Sequence, residues 1–111
     1  MAEDLIDRST FTELQQTVGA DFVAELVDTF LEEAPQMLAE MRTAYASRAA
    51  DTFRRAAHSL KTNANTFGAL ALGAQARELE QGGLPSSSVH LDALETAYAE
   101  TAATLRALAH G

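Results

Sequence analysis

The sequence contains no cysteine. Disulfides and thiolate metal sites are therefore excluded, and a reducing cytoplasm is the expected setting. No apolar run is long enough to span a bilayer and no basic-plus-apolar leader opens the chain, so no membrane association is expected. Cations are in deficit, with 8 Lys and Arg against 16 Asp and Glu and a formal net charge of −8. Nucleic-acid binding, which rests on a basic footprint, is set aside. No two histidines have i, i+4 spacing, so no metal site is expected. A Gly-rich phosphate loop and a kinase ATP-binding motif are both missing, so no cofactor is assigned to the chain. Period-two alternation is absent and β-branched residues are scattered, which argues against strands.

What remains is helical. The 111 residues, 47% of them hydrophobic, suit a single domain over 1–111 with a core from about 10 to 109. Thr10 and Glu13 fit a capping box that opens a short helix ended by Gly19. Asp21 is placed to cap the next helix, striped by Val23, Leu26, Val27, Phe30, Ala34, Met37, Leu38, Met41 and Tyr45. Pro35 inside that stripe predicts a kink or a local break. Asp51 starts a third helix, with Phe53, Ala56, Ala57, Leu60, Ala64 and Phe67 inward. A fourth runs from about Ala69 to Glu80 with Leu72, Ala76 and Leu79 inward. Gly82, Gly83, Pro85 and three serines read as a loop. Leu91, Leu94, Tyr98, Leu105 and Leu108 stripe the last helix. Short connections between amphipathic helices predict an all-α fold, an antiparallel up-and-down four-helix bundle with a short extra N-terminal helix.

The acids crowd into Glu3 to Glu40, whereas Arg42, Arg48, Arg54, Arg55 and Lys61 make a basic island around His58. On a helical wheel whose zero is the apolar stripe of the third helix, His58 points roughly 140° away and Thr62 roughly 180°. Asn65 lies at roughly 120°, Arg54 at roughly 100° and Lys61 at roughly 80° on the same wheel. His58 therefore faces water. A neutral imidazole is a nucleophile, and the neighbouring cations favour an incoming dianionic phosphoryl group. By the wheel alone, an ordinary exposed histidine among ordinary arginines is the better fit. His90, in or just after the serine loop, and His110, near the end, read as plain surface residues.

The segment from Ala57 to Ala69, AHSLKTNANTFGA, closely resembles the signature of histidine-containing phosphotransfer (HPt) domains of two-component phosphorelays. That pattern is His, any residue, Leu, Lys, a small residue, and Gly ten positions after the His. His58, Leu60, Lys61, Thr62 and Gly68 supply it. The helix order, the kinked long helix expected before the motif and the chain length also look like that family.

The resemblance implies phosphorylation of His58 on the imidazole nitrogen remote from the backbone, with Lys61 holding the phosphoryl group and Arg54 and Arg77 supporting it. Thr62, Asn65 and Gly68 would be positions of close approach, and Gly68 would let the third helix pack against the turn into the fourth. Threonine at 62 departs from the usual glycine. Glu80, twenty-two residues after the histidine, matches a Gln or Glu that orients the ring; with Arg77 one turn before it, the pair looks like the histidine domain of chemotaxis kinases. The implied activity is a phosphoryl carrier rather than a self-sufficient enzyme. It would accept from a receiver-domain aspartyl phosphate and donate to another receiver aspartate. Partners would be response-regulator receivers or a hybrid histidine kinase, with Mg2+ on the receiver, and the chain a cytoplasmic monomer. Two alternatives stand beside it: the histidine domain of a larger kinase phosphorylated in trans, and a docking module that carries no phosphate.

Overall fold

A computed structural model describes residues 5–110. Five helices follow one another: α1 (Arg8–Val18), α2 (Ala20–Ser47), α3 (Ala50–Thr66), α4 (Leu70–Gln81) and α5 (Val89–His110). The described residues contain no strand. Glu3, in the acidic stretch, lies outside the described residues.

The first helix starts earlier than the capping box predicts. Asp7 is the N-cap, and its carboxylate accepts from the Thr10 backbone N–H and hydroxyl. A carboxylate one turn ahead is the stronger acceptor, so Thr10 becomes a donor inside α1. Ile6, 1% exposed, is accordingly part of the core, which reaches below residue 10. Gly19 ends α1 at φ +94° and is also the N-cap of α2, so Asp21 sits in the first turn and caps nothing. There it still favours the positive end of the helix dipole. Likewise Ala49 is the N-cap of α3, and Asp51 is one residue inside it.

Pro35 does not break α2, which runs as one helix of 28 residues. Proline leaves the carbonyl four residues back without its helical donor. That carbonyl belongs to Leu31, and it accepts instead from the Tyr98 hydroxyl of α5 at 3.3 Å. The tyrosine ring meets Phe30 edge-on, and Phe30 also packs against Phe67. One loss of backbone bonding is thus made good by a long-range side chain that ties α5 to α2.

The stripes read from the sequence are the core. Phe53, Ala56, Ala57, Leu60, Ala64 and Phe67 of the third stripe are all buried. Ala44, Gly73 and Thr101 join the interior without having been assigned to it. Thr101 satisfies its hydroxyl by donating to the Ala97 carbonyl at 2.8 Å. The α3–α4 and α2–α3 interfaces are the most extensive, and α5 packs on both α2 and α4. Arg42 of α2 reaches across to Asp92 and Glu95 of α5, and His110 pairs with Asp28 at 2.8 Å, so α2 and α5 run antiparallel. His110 is therefore a tethered residue rather than a plain surface one.

Candidate functional site

Phe53, Ala57, Leu60 and Ala64 turn one face of α3 into the core, which puts His58 on the other. Its side chain is 55% exposed. The imidazole is not loose, however. Nδ1 lies 2.8 Å from Oε2 of Glu80 on α4. The second carboxylate oxygen, Oε1, lies 2.8 Å from Nζ of Lys61, one turn on from the histidine. The ammonium sits off the direction of a well-formed hydrogen bond to Oε1, so this contact is an ion pair. Glu80 is thus held between two residues of α3, with only 14% of its side chain exposed.

Lys61 and then His58 hold the Glu80 carboxyl below the ordinary carboxylate range, against the opposing effect of burial. The group is an anion at neutral pH, and an anion accepts only. Nδ1 must therefore carry the proton of the neutral ring, and the lone pair is left on Nε2. Nε2 makes no hydrogen bond to any described residue. The arrangement is an oriented imidazole with Nε2 unoccupied, which is chemically able to act as a nucleophile.

The cations are less available than the wheel suggests. Lys61 is 22% exposed and bound to Glu80 rather than solvent-facing, because α4 packs over that side of α3. Arg54 and Arg55 both lie 2.6 Å from Asp51, whose carboxyl they hold below its usual range, Arg54 most strongly. Arg77 is exposed and makes no hydrogen bond or ion pair with Glu80, His58 or another described residue. Glu80 turns to α3, and Arg77, one turn before it, stays exposed. Asp51 went unassigned as a site residue, although its i, i+3 and i, i+4 spacing to Arg54 and Arg55 was legible.

Thr62, exposed one turn beyond His58, stands beside the ring on the same face. Gly68 packs differently from expectation. At φ +83° it caps the turn after α3, but its close neighbour is the chain entering α1. Its carbonyl accepts from Asp7 N–H at 2.7 Å, and a Cβ at this position would stand 2.7 Å from the Asp7 carbonyl oxygen. His90 is exposed in the first turn of α5, in a depression with Gln75, Glu78 and Pro85. His58 lines neither this depression nor a second one bordered by Arg54 and Glu80.

Among the described residues no helix is long and apolar enough to cross a membrane. No group of three or more His, Asp or Glu among them is arranged to hold a metal ion. Residues 25–104 match the family model of the Hpt domain. No curated protein and no solved structure matches the chain.

Proposed function

The chain belongs to the Hpt domain family, phosphotransfer modules of two-component signalling, and from that premise we propose that His58 is its phosphoryl-accepting residue in a phosphorelay. The observation that carries the reading is the contact of Nδ1 with Glu80 at 2.8 Å on an otherwise open ring. The Nε2 lone pair attacks the phosphorus of a receiver aspartyl phosphate. The N–P bond forms as the acyl O–P bond breaks, and the aspartate leaves as carboxylate. A second receiver aspartate reverses the step. The Nδ1 proton stays on the ring throughout, facing Glu80.

Lys61 shares the Glu80 carboxylate with His58, and it supports the transferred group by moving off Glu80 as phosphoryl charge arrives. Arg54 lends weaker support, because Asp51 already pairs it, and Arg77 joins only if the partner draws it in. Thr62 restricts which receivers approach the ring. Gly68 and Asn65 serve the packing that keeps α3 in place. The chain needs no cofactor of its own, since Mg2+ and the acceptor aspartate come with the receiver. Helices α2 to α5 form the antiparallel four-helix bundle of such carriers, acting as a cytoplasmic monomer, with receiver domains or a hybrid kinase as partners.

A second reading is favoured by one observation. Glu80, an anion shared between His58 and Lys61, suits the histidine domain of a chemotaxis-type kinase, phosphorylated in trans by an ATP-binding domain. The test is to offer the chain labelled phosphate from phosphorylated receivers and, separately, from such a kinase domain with ATP. Acid-labile, base-stable label from receivers, absent in His58→Ala, is the expected result. Label from the kinase alone would favour the second reading. Receiver binding without label from either source would reduce the chain to a docking module.

A further inference from the structure

We propose that Asn65 and Gly73 form a positioning pair, setting the α3–α4 register at which Glu80 reaches His58. The inference deepens the reading of His58 as phosphoryl acceptor and rests on it only for its functional consequence.

The two helices run antiparallel through a short turn at Phe67, Gly68 and Ala69. Asn65 lies seven residues after His58, and Gly73 lies seven before Glu80. Seven residues are close to two turns, so each pair sits on a matching face at a matching level, roughly 10 Å apart along the axes. Gly73 is buried in the middle of α4. Its φ is not positive, so the backbone does not require glycine there. Glycine inside a helix is destabilising relative to alanine. The reason for it lies on the opposite helix. A Cβ at position 73 would stand 2.0 Å from Oδ1 and 2.9 Å from Cγ of Asn65. The asparagine amide therefore occupies the volume where a side chain of α4 would be.

The consequence for the site is geometric. The turn at Gly68 reverses the chain, but it does not by itself fix how α4 is rotated or slid two to three turns away. Moving α4 by one residue means about 1.5 Å of translation and about 100° of rotation. Either displacement breaks a 2.8 Å contact between Nδ1 and Oε2. The amide seated in the glycine notch opposes both. It acts on the histidine only through Glu80, and so holds the protonated edge of the ring in place without touching it.

The test reads the tautomer rather than the activity. The full chain, uniformly labelled with 15N, is examined by long-range 1H–15N correlation at neutral pH. The native chain should show a neutral His58 protonated mainly at Nδ1. Gly73→Ala should lower the Nδ1–H to Nε2–H ratio at least threefold while helical circular dichroism persists. The double variant Gly73→Ala/Asn65→Ala should restore the ratio, because the added methyl fills the space the amide vacates. An unchanged ratio in Gly73→Ala overturns the proposal, since Asn65 would then simply have swung aside. Equal loss in the single and double variants overturns it too, because the defect would not be the pairing. If Gly73→Ala fails to fold, Asn65→Ala alone decides, a lowered ratio supporting the lock and a native one overturning it. A tautomer that responds as expected in a chain that never accepts phosphate would sink the phosphoryl-carrier reading and leave the positioning pair standing.

Discussion

Gly68 combines a backbone demand with a steric one. Its φ of +83° is unfavourable for a side-chain-bearing residue, and its Cα faces the Asp7 carbonyl at a separation that admits no Cβ. Gly68→Ala should therefore cost about 1–3 kcal/mol, measured by urea unfolding, even though the residue is outside every helix. The sequence marked this glycine through the motif, but its neighbour was not legible, because Asp7 is distant in the chain and nothing local announces the contact. Glu80 was legible only through the family resemblance, and its partner His58 with it. The commitment of Lys61 to the same carboxylate was not, since a wheel drawn for α3 alone ignores what α4 covers. That shared carboxylate has a pH signature. Lys61 and His58 lower the Glu80 pKa in the folded state, so its stabilising contribution is present above the unfolded carboxylate pKa. The contribution is lost as pH falls through the lowered folded value. The stability difference between the native chain and Glu80→Gln should thus be widest near neutrality and close toward zero in acid. A difference independent of pH would show that the ion pair is not its source.

Among the elements, α2 shows best why a proline need not end a helix. The sequence reading expected a kink or a break at Pro35. The long apolar stripe on both sides, with Val27, Phe30, Ala34, Leu38 and Met41 buried, holds one helix together across it. What the local pattern lacked was Tyr98, which supplies a hydroxyl to the orphaned Leu31 carbonyl from another helix. Tyr98→Phe should cost about 1–3 kcal/mol in the native chain, the usual scale for a lost hydrogen bond to a group left unpartnered. In a Pro35→Ala background the restored backbone N–H serves Leu31, so the same change should cost less. A double-mutant cycle by thermal or chemical unfolding measures the coupling, and strict additivity would contradict the account. Helix starts were the least legible feature of the elements. Asp7, Gly19 and Ala49 begin α1, α2 and α3, whereas Thr10, Asp21 and Asp51 lie just inside them. Asp21 and Asp51 serve the first turn electrostatically, which is why their residue types pointed to the right neighbourhood and the wrong position.

At the scale of the molecule, helices α2 to α5 present His58 on an open face and set its Nδ1 edge against Glu80. The fold class and the identity of the motif were readable from periodicity and from His58, Leu60, Lys61 and Gly68. The internal pairing of the basic island was not. Arg54 and Arg55 are drawn to Asp51, and Lys61 to Glu80, so the resting site is closer to neutral than its composition suggests. The most direct measurement of the whole account is the position of the phosphoryl group on the phosphorylated chain, read by 31P and 15N NMR of the phosphohistidine. Phosphate is expected on Nε2 of His58, with Nδ1 still protonated and facing Glu80. Phosphate on Nδ1, or a base-labile acyl phosphate in place of phosphohistidine, would contradict it.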